Sequence, residues 1–138
     1  MHAAIRTAIL TLGFGTACAQ AADLTVRIEE VKNKDGQLMA ALYDSAAGFL
    51  TRPVRKATVE AVAGSTTVVF KDLAPGEYGL SVFHDANGNG RLDRNAMGMP
   101  IEQVGFSKDA QGFMGPPAFD AVRFTVPESG AGIVVTLR

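Results

Sequence analysis

Leu73-Ala74-Pro75-Gly76-Glu77-Tyr78-Gly79-Leu80-Ser81-Val82-Phe83-His84-Asp85 is the stretch on which the fold turns. Pro75-Gly76 is the dipeptide of a tight turn, because proline presets φ at the first central position and glycine accepts a positive φ at the second. After it, Tyr78, Leu80 and Val82 alternate with Gly79, Ser81 and Phe83, which is the two-residue period of a β-strand. His84 has the parity of Tyr78 and therefore faces the same side at the strand's end. Leu73 before the turn and Tyr78 after it resemble the corner of Greek-key sandwiches, where a tyrosine hydroxyl ties back to nearby backbone.

Working outward, the flanking sequence reads as strands too. Leu24, Val26 and Ile28 alternate with Thr25, Arg27 and Glu29, the pattern of a half-buried strand. Asn33-Lys34-Asp35-Gly36 predicts a hairpin turn, with Asp-Gly supplying the positive-φ positions. Residues 38–43 are apolar on both faces, as in a central strand. Residues 44–53 read as a loop over Phe49 and Leu50, 57–62 as a third strand, and Ala63-Gly64-Ser65 as the turn into a fourth at 66–71. Downstream, 95–118 is a long connection rich in Gly, Pro and Met, with a short strand near 102–106; such loops are usually functional or ion-braced. Val122, Phe124 and Val126 make a further strand, and Pro127-Glu128-Ser129-Gly130 turns into the last, with Ile133, Val135 and Leu137 inward. Seven to eight short strands without helical periodicity predict an all-β chain, a β-sandwich. Its single core between two sheets should hold Leu73, Tyr78, Leu80, Val82, Val122, Phe124, Ile133 and Val135.

The first residues stand apart. Arg6 makes a basic start, an apolar run follows, and Ala17-Cys18-Ala19 and Ala19-Gln20-Ala21 both fit small-x-small cleavage. Residues 1–21 are thus expected to be an export signal and 22–138 a single β-sandwich domain, periplasmic or extracellular. The competing reading is a lipoprotein anchored through Cys18, for which Thr16-Ala17-Cys18 is suited but Gly15 stands where leucine is usual. Without the leader the chain has no cysteine, hence no disulfide or thiol chemistry. Losing Arg6 from the 13 Lys and Arg leaves 12 against 14 Asp and Glu, a net charge of −2. No basic patch argues for nucleic acid, and no apolar run in the mature chain spans a membrane.

The strand from Tyr78 runs into His84-Asp85-Ala86-Asn87-Gly88-Asn89-Gly90-Arg91-Leu92-Asp93. Asp85, Asn87 and Asn89 offer oxygens at alternate positions, Gly90 permits a sharp turn, and Asp93 follows, as in the start of a calcium loop. Calcium takes six to eight hard oxygen ligands. On this register Arg91 lends its carbonyl and Leu92 pins the loop to a core. Ala96 stands where an EF-hand needs a bidentate glutamate, so the loop is not an EF-hand. It is closer to the shorter loops that join strands in extracellular proteins. Two Asn in place of Asp point to a weak site, on the order of 10⁻⁴–10⁻³ M. Asn95, Glu102, Asp109 and Asp120 are the candidates for further ligands. The plainer reading is a turn-rich connector in which Asn and Gly accommodate left-handed backbone.

Leu73-x-Pro75-Gly76-x-Tyr78, the 84–93 motif, Gly98-x-Pro100-x-Glu102, Gly105-Phe106-Ser107 and Gly115-Pro116-Pro117-x-Phe119 together resemble the bacterial family catalogued as domain of unknown function 2141. The likeness covers the mature chain. It implies a small exported bacterial domain with an immunoglobulin-like or prealbumin-like sandwich and no assigned activity.

Catalytic signals are sparse. No serine sits in a nucleophile elbow, and His84 is the single histidine left after export, too few for a zinc site. His84 is expected to orient the loop together with Gly90 and Leu92. The expectation is a non-enzymatic module that binds an unknown protein or small ligand, with oligomeric state open. The alternative is a small periplasmic hydrolase using His84 with Asp85 or Glu102. A candidate binding patch is Phe106, Phe113, Met114, Pro116, Pro117 and Phe119, unless these residues form a lid over one open end of the sandwich.

Overall fold

The computed structural model describes Gly13 and residues 21–138, so the expected signal over 1–21, with Cys18, lies almost wholly outside the described residues. Eight strands follow in order: β1 (Ala22–Val31), β2 (Gln37–Tyr43), β3 (Arg55–Glu60), β4 (Gly64–Leu73), β5 (Gly76–Asp85), β6 (Val104–Phe106), β7 (Phe124–Val126) and β8 (Ala131–Thr136). A 3₁₀ turn at Ser107–Asp109 and a single helical turn, α1 (Phe119–Val122), are the only helical pieces among the described residues. The strands form two sheets, one ordered β4-β1-β8 and the other β3-β2-β5-β6. The far edge of β5 is shared: Ser81–Phe83 pairs with β6, and Gly76–Tyr78 with β7. The all-β sandwich expected from the strand pattern is therefore present.

Alternation explains the packing. Leu24, Val26, Ile28, Val68, Phe70 and Val135 from one sheet meet Leu38, Ala40, Leu42, Leu80 and Val82 from the other, all buried in one cluster. Removing this apolar surface from water is the main stabilising term. The corner at β5 forms as expected: the Tyr78 hydroxyl donates to the Ala74 carbonyl at 2.6 Å, and Leu73 is buried beside it.

Four local expectations need correction. Asn33–Gly36 is not a hairpin turn. β1 pairs with β4 and β8, and β2 pairs with β3 and β5, so this turn carries the chain from one sheet to the other. The turn residues do act locally, since Asn33 Oδ1 accepts from Asp35 N at 2.9 Å and Gly36 has φ +65°. What the turn cannot set is whether two amphipathic strands meet edge to edge or face to face. β8 also joins β1 in parallel, Leu24 opposite Ala131 through Glu29 opposite Thr136.

Val122 does not enter the main core. It belongs to α1, and with Tyr43 and Phe119 it forms a second cluster on the outer face of the larger sheet, packed by Phe49 and Phe106. Ile133 is half-buried. Of the loop pair, Phe49 is tucked in, edge-on to Tyr43 at 5.2 Å between ring centres, while Leu50 is 39% exposed. No helix of the described residues is long and apolar enough to cross a membrane.

Candidate metal-binding loop

β5 delivers His84 and Asp85 to the loop, and both side chains are buried. The Nε2 of His84 donates to the Asp35 carbonyl at 2.6 Å, because a carbonyl can only accept. His84 thus ties the sheet-crossing turn to the loop base. Gly36 makes the approach possible: a Cβ there would lie 2.0 Å from the Asp85 carbonyl oxygen.

Asp85 is the inner post of the loop. Its Oδ1 accepts from Asn89 N at 3.2 Å, and its Oδ2 from Gly90 N at 2.8 Å and Gln37 Nε2 at 2.9 Å. A buried carboxylate needs such donors, since an ion removed from water without them is very costly. Asn87 Oδ1 and Asn89 Oδ1 accept from the backbone two residues ahead, Asn89 N and Arg91 N, the local turns that asparagine favours. The amide nitrogens of the same two residues converge on Asp93, Asn89 Nδ2 on Oδ1 at 2.8 Å and Asn87 Nδ2 on Oδ2. Gly88 and Gly90 take φ of +70° and +76°, which lets the chain turn this tightly. Leu92 is half-buried and Arg91 exposed.

Glu102 closes the loop. Its Oε2 accepts from Ala86 N at 2.8 Å and its Oε1 from Asp93 N at 2.9 Å, so one carboxylate clamps both ends. The other candidates for extra ligands stand elsewhere. Asn95 caps the next turn through Met97 N and Met99 N, Asp109 accepts from Thr136 N, and Asp120 lies 3.5 Å from Arg123. Gln37, the first residue of β2, is a partner of the loop that the sequence alone did not point to. The signal is a polar residue opening an apolar strand, but its partner emerges only from the register, which sets Gln37 opposite Asp85. Among the described residues no three His, Cys, Asp or Glu side chains cluster closely enough to hold a metal ion. A cation here would depend on the Asn amide oxygens as well as carboxylates.

A model of a family described as an uncharacterized protein conserved in bacteria (DUF2141) matches residues 26–133. The chain belongs to that family. No curated protein and no solved structure matches it.

The DUF2141 chain divides the apolar patch in two. Pro117 and Phe119 are buried and Phe106 is half-buried, whereas Phe113, Met114 and Pro116 are exposed. Phe119 packs against Phe49, ring centres 5.8 Å apart. The packed half covers the outer face of the larger sheet rather than an open end of the sandwich. Ser107 secures it, accepting from Leu80 N at 3.0 Å and donating to the Val122 carbonyl.

Proposed function

We propose that this DUF2141 protein is an exported, non-enzymatic binding module whose 85–93 loop takes calcium. The observation that carries the reading is the convergence of the Asn87 and Asn89 amides on the Asp93 carboxylate beside the Asp85 post. Turning each amide about its last torsion exchanges nitrogen for oxygen, and the same side chains then offer oxygens to a cation. Asn89 N keeps Asp85 as acceptor, and Arg91 N lies at an exposed residue where water replaces the lost bond. Calcium suits this set because it accepts mixed carboxylate, amide and carbonyl oxygens in irregular geometry. Two carboxylates and neutral amides give a weak site, suited to the millimolar calcium of an extracellular setting.

The hydrolase alternative is less well supported. His84 is buried with Nε2 bonded to a backbone carbonyl, and Asp85 and Glu102 are occupied by backbone N–H donors. His84 and Asp85 thus lie away from a substrate that a base or nucleophile must reach, and half-buried Glu102 already holds the two ends of the loop.

The test is a melting curve. A ligand bound only by the folded state stabilises it by roughly 2.7 kcal/mol at a hundredfold excess over Kd. Millimolar calcium should raise the melting temperature of the purified protein and magnesium should do much less, since magnesium demands tight octahedral geometry. Asp93→Asn should remove most of the rise. Superimposed curves with calcium and with chelator would leave the loop as a connector braced by its own hydrogen bonds.

A further inference from the structure

A groove runs over the outer face of the larger sheet, beside the packed aromatic cluster. Its floor is Phe83 on β5 with Val104 and Phe106 on β6, and its walls are the turn carrying Met97 and Met99 and the loop carrying Met114. Its volume is about 510 Å³, inside the range of roughly 300–1,000 Å³ typical of small-molecule sites. The three wall methionines are exposed, Met97 by 87% and Met114 by 86%. Methionine side chains adapt to irregular apolar ligands.

The net charge lining this groove is positive, two arginines against the single carboxylate of Asp109. Arg94 and Arg138 line it, and neither is within ion-pair distance of a carboxylate; the ion pairs among the described residues join Arg27 to Glu29 and Arg123 to Glu77 and Asp120. Arg94 Nη1 donates to the Gly98 carbonyl at 3.0 Å. The Gln111 amide, turned with its oxygen toward Arg138, accepts from Nε and Nη1. Asp109 lies at the groove, but its Oδ1 accepts from Thr136 N.

We propose that the groove binds a free long-chain carboxylate, its chain along Phe83, Phe106 and the methionines, with Arg94 and Arg138 as counter-charges to its head. Arginine's planar fork is suited to a carboxylate, and an apolar trough flanked by guanidinium groups complements an anionic amphiphile at both ends. A free acid is favoured over a bilayer surface because the apolar side chains line a concavity sized for one chain. This deepens the binding-module reading but not its calcium arm, and the two fail separately, since the carboxylate experiment is run in chelator.

Isothermal titration of the purified protein with decanoate and with decanol tests it. Decanoate should bind one to one, roughly tenfold tighter than the alcohol, as loss of a charged hydrogen-bond partner implies. Arg94→Gln should bring decanoate down toward decanol, while Met97→Asp with Met114→Asp should weaken both. These are exposed positions, so melting curves should show each variant folded. Equal affinity for acid and alcohol, or decanoate binding indifferent to all three substitutions, would overturn the proposal. So would sedimentation with anionic vesicles without stoichiometric decanoate binding, which would make the loops a membrane contact.

Discussion

Tyr78 shows how much one side chain can hold. Its ring is buried where the chain leaves one sheet for the other, and its hydroxyl reaches back four residues to Ala74. Removing that bond with Tyr78→Phe should cost about 1 kcal/mol. Burial, and then the Asp44 charge, hold the phenol above its usual value, with Arg55 opposing. A raised folded-state value means that the folded protein keeps its proton where the unfolded chain has lost it. The contribution is therefore complete below the unfolded value of about 10 and is lost as pH rises through the folded value. Urea unfolding at pH 8 and above 10 should show a steeper alkaline loss of stability in the wild type than in Tyr78→Phe. Identical declines would assign the alkaline loss to other groups.

At the scale of elements, β5 is where the structure is joined. It pairs with β2 on one side and with β6 and β7 on the other, and its end becomes the candidate calcium loop. Its outer face is kept open for α1 by Gly79, where a Cβ would stand 2.8 Å from Val122 Cγ2 and 3.0 Å from Phe119 Cε2. Valine is stiff about χ1 and Val122 is fully buried, so it has little room to yield. Gly79→Ala should cost about 1–3 kcal/mol, the usual range for overpacking. Thermal denaturation measures it; a loss of only a few tenths would mean that α1 lifts freely and that the second cluster contributes little.

For the whole molecule, stability rests on the face-to-face contact of two sheets. Leu80 lies at its centre with no exposed surface. Leu80→Ala should lose about 2–5 kcal/mol in chemical denaturation, as buried large-to-small changes do, whereas a near-neutral result would contradict its place in the core. Export is a separate prediction for the entire chain. Mass spectrometry of protein recovered from the producing cell should find an N-terminus between Gln20 and Asp23. An intact Met1 or a lipidated Cys18 would overturn it.

What is local or periodic could be read from the chain alone. The alternation in β1 and β5, the central character of β2, the Pro75-Gly76 turn with its tyrosine corner and the Asn-Gly geometry of the 85–93 loop each depend on residues near one another in the chain. Which strands share a sheet became clear only from the folded chain. Asn33–Gly36 would turn the chain equally well into a hairpin or across the sandwich, and the parallel pairing of β1 with β8 joins strands from opposite ends of the described domain. Val122 has strand-like parity with Phe124 yet lies in a helical turn, because packing against Tyr43 and Phe119 outweighs a short-range pattern. The same holds at the loop. Asp85, Asn87, Asn89 and Asp93 were legible as a motif, but Gln37 on β2 and the choice of Glu102 over Asn95, Asp109 and Asp120 follow from strand register and chain path. Those are set by the burial of all the strands together rather than by any stretch alone.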